Sequence, residues 1–153
     1  LQTANLNEVI VNKLYEDGLL LADEARASFD LEDSFGGARD ETSAARAAMS
    51  CEALRTTTRM MHAIAWLLNQ RAYFSGEISE FQLRRHGRLP PAQPAPSHEE
   101  LALLPPHVAD LVDRTVELYA RIERLDRAWR KSFELQPAAV HRLRERLGYA
   151  FAR

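Results

Sequence analysis

One cysteine, five histidines and many arginines are the residues of this chain with the most obvious capacity for chemistry. Their spacing decides whether they could use it. A nucleophilic thiol needs a base within hydrogen-bond reach. Cys51 and His62 lie on what reads as one helix, at a separation of about 16 Å along its axis. They cannot pair within one chain. His86, His98, His107 and His141 show no metal-ligand spacing, and no His-Glu-x-x-His motif occurs. Gly36-Gly37 lacks the following Lys-Ser/Thr of a phosphate-binding loop. Carboxylates are many, but solvated helix faces account for nearly all of them. No catalytic residue, metal ligand or cofactor is expected, and the chain reads as a non-enzyme.

Composition agrees with a single domain over residues 1–153. The chain is 46% apolar and 27% charged, with a formal net charge of −2. It is long enough to bury its own core. No global field draws it to nucleic acid or to an anionic membrane. Residues 1–50 hold 10 acids and 4 bases, net 4 − 10 = −6, and the remainder holds 12 acids and 16 bases, net +4. The first segment is thus an electrostatic complement to the rest. A single cysteine excludes an internal disulfide and fits a reducing compartment. No apolar run reaches the ~18 residues of a membrane span. "LQTANLNEVI" lacks the basic start and hydrophobic stretch of a signal peptide. A cytoplasmic protein is expected, with a few residues upstream of Leu1.

Strand patterns are absent, and helical periodicity is strong in three places. Val11, Leu14, Gly18, Leu21, Ala25 and Phe29 share one face of a helix predicted over about 5–30. Gly18 on that face signals either a close helix approach or a tolerated glycine. "SFGGARDETS" breaks the chain, with Thr42 or Ser43 as the cap of a second helix over 43–74. Ser79 with Gln82, and Ser97 with Glu100, have the spacing of capping boxes. The first precedes, and the second lies inside, a Pro-rich connector over about 87–105, whose stretch 88–97 is expected to be mobile and tolerant. A third helix is predicted over 106–133, opened by Pro106. Its stripe includes Val108, Leu111, Thr115, Tyr119, Ile122 and Trp129. Pro137 opens a short C-terminal helix over about 138–151. The fold class is all-α: an elongated three-helix bundle with a short C-terminal helix.

The second helix carries "SCEALRTTTRMMHAIAWLLNQRAYF". On a wheel of about 100° per residue, Leu54, Met61, Ile64, Ala65, Leu68 and Ala72 form one face, flanked by Met49, Met60 and Leu67. This wide arc predicts a central helix with Leu68 in the core. The remaining side carries Arg55, Arg59, His62, Trp66, Asn69 and Tyr73. Such residues are enriched in protein interfaces and their hot spots. They are the candidate contact surface, set against an alternative in which the connector or the last helix covers Trp66. A weaker candidate is the basic C-terminal helix with Arg142, Arg144 and Arg146. It leaves a DNA-associated transcriptional regulator as the alternative function, although nucleic-acid binding is not expected without a basic face over the whole chain.

The segments "LYEDGLLLADEARASFD", "SCEALRTTTRMMHAIAWLLNQRA" and "LPPHVADLVDRTVELYARIERLD" resemble the regulator of CtrA degradation (RcdA) family of bacterial proteins. The likeness runs from about Leu14 to Asp126. It implies a helical-bundle homodimer without enzymatic activity. It further implies a proteolytic adaptor in cell-cycle control that helps deliver regulatory proteins to the ClpXP protease, together with a response-regulator-type accessory protein. No residue roles are carried over from the family.

Overall fold

The computed structural model describes residues 7–35, 42–135 and 146–147. Apolar residues spaced by three and four build its first helix, α1, over Glu8–Phe35. The helix continues past the predicted end near residue 30. α2 spans Ser43–Phe74 as predicted, and Thr42 is its cap, accepting a hydrogen bond from the Ala45 amide. α3 covers Glu80–His86 and α4 covers His98–Ala102. Both open with the predicted reciprocal capping boxes, Ser79 with Gln82 and Ser97 with Glu100. α5 spans Pro106–Leu135. The described residues are all-α, with no strand among them. The glycine break at 36–37 and the C-terminal helix expected over 138–151 fall outside the described residues, apart from a helical pair at 146–147.

The three long helices pack on one another, and side-chain contacts set their directions. Arg71, near the end of α2, stacks over the Tyr15 ring at 4.3 Å and donates to Asn12 near the start of α1. α1 and α2 are therefore antiparallel. Arg114 on α5 holds Glu24 on α1 through two hydrogen bonds of 2.7 and 2.9 Å. Arg59 meets Thr115, and Trp66 meets Asp126, so α2 and α5 run in the same direction. A parallel pair needs a long return. Residues 75–105 supply it, running back along the bundle. Leu89 joins the core beside Trp66 and Tyr119, and Glu100 reaches Arg55 in the first half of α2.

The connector is therefore a strap anchored at Leu89 and Pro90, which corrects the expectation at that end of 88–97, whereas most of residues 91–97 is exposed. Leu83 and Leu89 are buried, and the Tyr119 hydroxyl donates to the Pro90 carbonyl at 2.5 Å. Burial pushes the Tyr119 hydroxyl up to about 12, with Glu123 and Asp126 adding to it. Gly87 closes α3 where a Cβ would stand 2.6 Å from the Leu83 carbonyl oxygen, too close for any other residue without a backbone shift. At Gly18 the nearest atoms to such a Cβ are side chains at 3.8–4.0 Å. The tolerated-glycine reading holds there, and no close approach requires it.

The core follows the strap and the three helices. Val11, Leu14, Trp66, Leu67, Tyr119 and Ile122 fill one end. Leu21, Ala25, Met60 and Leu111 fill the middle. Leu104, Val108 and Val112 close the other end. Among the described residues no helix is long and apolar enough to cross a membrane.

Candidate protein-contact surface

The strap decides which side of α2 faces solvent. Trp66 and Arg59 are each only 2% exposed. The Trp66 indole N–H donates to Asp126 Oδ1 at 2.9 Å, and Arg130 Nε donates to Asp126 Oδ2 at 2.9 Å. Arg55 is half-buried between Glu52 and Glu100 on the strap. His62 and Asn69 are half-buried, as is Tyr73, whose ring tilts against Phe74 at 5.4 Å. Of the six residues expected to form an exposed contact face, Arg59 and Trp66 are instead buried, Arg55 is held against the strap by Glu100, and His62, Asn69 and Tyr73 stay partly exposed. The error lay in treating aromatic and cationic residues as surplus to the core. A parallel α2–α5 pair with a return segment buries Arg59 and Trp66, whose Nη1 and Nε1 find partners inside. Arg59 Nη2 and both Gln70 amide atoms are buried without a hydrogen-bond partner among the described residues.

Those partners form a buried polar row. Glu52 Oε1 accepts from the Thr56 hydroxyl at 3.2 Å and lies 3.6 Å from Arg59 Nη1. Arg59 Nη1 also donates to Thr56 at 3.3 Å and to Thr115 at 3.0 Å. Burial raises the Glu52 carboxyl above its ordinary range, and the Arg59 charge pulls against that rise. Burial likewise lowers Arg59, opposed by Glu52. The row ties α2 to α5 through Arg59 and Thr115.

The opposite side of α2 is the unexpected feature. Leu54 is 70% exposed, Met61 59% and Leu68 45%, all three assigned to the core by the helical wheel. Cys51, Ala47 and Ala65 are exposed beside them, while Thr58 and Ala72 are partly covered. At about 100° per residue these positions lie opposite Glu52, Ala63 and Gln70. The charged residues of α2 are Arg46, Glu52, Arg55, Arg59 and Arg71. None falls in this outer arc. A solvated helix face normally carries charged residues. Here the polar face is buried and the charge-free face is outside.

A family model described as "Protein of unknown function (DUF1465)" matches residues 2–151. The chain belongs to this family. No curated protein and no solved structure matches it significantly. Among the described residues, no group of three or more histidine, cysteine or carboxylate side chains could hold a metal ion. Arg142 and Arg144 fall outside the described residues, and Arg146 is exposed.

A sequence signal for the outer face did exist. Ala44, Ala47, Cys51, Leu54, Thr58 and Met61 alternate in steps of three and four, and Ala65, Leu68 and Ala72 continue the series. That strict repeat of seven has the spacing of a coiled-coil seam, narrower than an ordinary core stripe. The buried face is marked by Glu52, Thr56, Arg59 and Gln70, which hydropathy alone assigns to solvent.

Proposed function

We propose that this protein is a non-enzymatic adaptor, acting through protein–protein contacts in the bacterial cytoplasm to help deliver regulatory proteins to the ClpXP protease in cell-cycle control. It works as a homodimer, together with a response-regulator-type accessory protein. Two things support this reading. Three long segments of the chain resemble the RcdA adaptor family. Independently, α2 presents a charge-free outer face with Leu54, Met61 and Leu68 exposed. That face carries the proposal. Contiguous apolar surface of this kind marks protein contact sites. The DNA-associated alternative rests on Arg142, Arg144 and Arg146 alone, in a chain whose formal net charge is −2.

Reconstituted proteolysis tests the reading. ClpXP, the accessory protein and a radiolabelled cell-cycle transcription factor are incubated with and without this protein. Delivery predicts faster loss of the cargo, saturating with adaptor concentration. Unchanged loss over the same range, for this cargo and for a panel of other regulatory proteins, would overturn it.

A further inference from the structure

The strap is fastened unevenly. Leu89 and Leu104 are buried, and no residue from 91 to 103 is. That span carries α4, five residues long and without a buried side chain. A helix so short does not sustain itself, so α4 depends on its cap and on what it rests against. Glu100 serves both. Its carboxylate accepts from the Ser97 amide at 2.8 Å and faces Arg55 Nη1 at 3.4 and 3.5 Å. The last two distances are long for a charge-assisted bond, which closes to about 2.7–2.9 Å. Leu101 completes the contact, partly buried against the cluster of Val108 and Val112, where Ala48 and Met49 also pack. Releasing 91–103 leaves Leu89, Leu104 and the Tyr119–Pro90 bond in place. Opening of this span is therefore local and keeps the bundle intact.

Resting on the adaptor reading, we propose that α4 lies in a docking seat for a short segment of a partner protein, a carboxylate followed by leucine, and fills that seat in cis until the partner displaces it. Charge defines half of the occupant. Arg55 and Arg59 bring two guanidiniums to this part of α2, and Glu52 brings one carboxylate, 3.7 Å from Arg55 and 3.6 Å from Arg59. With Glu100 withdrawn, one of those positive charges is uncompensated. Glu52 and Arg59 are buried, so half-buried Arg55 is the cation within reach of a ligand. The other half is apolar, because Val108, Val112 and Met49 lose cover when Leu101 leaves. A carboxylate with an adjacent leucine satisfies both, as Glu100-Leu101 does in α4. A basic or purely polar segment satisfies neither. Glu52 Oε2 and Arg59 Nη2 have no hydrogen-bond partner among the described residues, so water admitted by opening hydrates them and offsets part of its cost. A tethered segment competes at an effective concentration in roughly the millimolar range. Binding in trans is therefore weak in the natural chain and grows as α4 is loosened.

The test uses the full chain without protease or cargo, so its failure is distinct from failure of the adaptor reading. Hydrogen exchange on the natural chain reads the opening. The Leu101, Leu103 and Leu104 amides, bonded within and around α4, should exchange at least about a hundredfold faster than the Leu83 and Gly87 amides of α3. Equal protection in the two short helices would overturn the proposal, and this measurement needs no variant. The seat is read with a fluorescent peptide of residues 96–103, PSHEELAL, followed by anisotropy. Glu100→Ala with Leu101→Ala empties the seat in cis and keeps the buried residues of the bundle. That variant should bind the peptide at least about tenfold more tightly than the natural chain does. Adding Arg55→Gln should return binding to the natural level, and a peptide with lysine in place of its second glutamate should not bind. A folded variant that binds no better than the natural chain would overturn the proposal. So would binding that is indifferent to Arg55→Gln.

Discussion

Glu52 and Arg59 show how a single residue can mislead when read by type. Each is buried to the same degree as the leucines beside it, Glu52 accepting from Thr56 and Arg59 donating to Thr56 and Thr115. Breaking one member of a buried pair typically costs about 3–5 kcal/mol, because the other is stranded. Arg59→Met should therefore lower stability by that order in a denaturant melt. Glu52→Leu combined with Arg59→Met should recover most of the loss. The sign of the pH dependence follows from the raised Glu52 carboxyl. Its contribution to stability is full below the unfolded value of 4.5 and is lost as pH rises through the higher folded value. Glu52→Gln should accordingly gain on the natural protein between acid and neutral pH. A difference that runs the other way would mean that the Arg59 charge outweighs the cost of burial. Gly18 offers an opposite kind of test. With only ordinary contacts around its Cβ position, Gly18→Ala should stabilise by about 0.5–1 kcal/mol in a thermal melt.

Along α2, neighbouring residues separate the two faces. Leu67 is fully buried and Leu68 is half exposed. Leu67→Ala should cost about 2–5 kcal/mol, as core truncations do. Leu68→Ala, measured at low protein concentration, should stay under about 1 kcal/mol. Trp66→Ala should lower the melting temperature at every concentration, since its indole is tied to Asp126 inside the protomer. The existence of the long helices was legible in the sequence because α1 and α5 have one apolar stripe each, and the starts of α2 and α5 because Thr42 and Pro106 are strong start signals. The orientation of α2 was not legible. Its wheel has a polar side and an apolar side, and hydropathy assigns the apolar one inward. The buried side instead follows from partners distant in sequence, Thr115, Asp126 and Leu89, which no local pattern reveals.

For the molecule as a whole, the strap is the organising choice. Running α2 and α5 in the same direction forces residues 75–105 back along the groove between them, which consumes the Trp66 side and leaves the seam of Leu54, Met61 and Leu68 outward. Leu89→Ala should loosen the strap. With the Tyr119 hydroxyl still bonded to Pro90, limited proteolysis should shift toward residues 88–97 before any long helix is cut. The seam also carries a natural reporter, because Cys51 is exposed in the protomer and is the chain's one cysteine. Its rate of alkylation, followed across a range of protein concentrations with no mutation introduced, measures directly whether that face is covered. Coverage by a second copy, the homodimer of the proposed function, predicts a rate that falls as concentration rises and returns to the monomer value when Met61→Glu places a charge on that face. A rate identical at every concentration would contradict it.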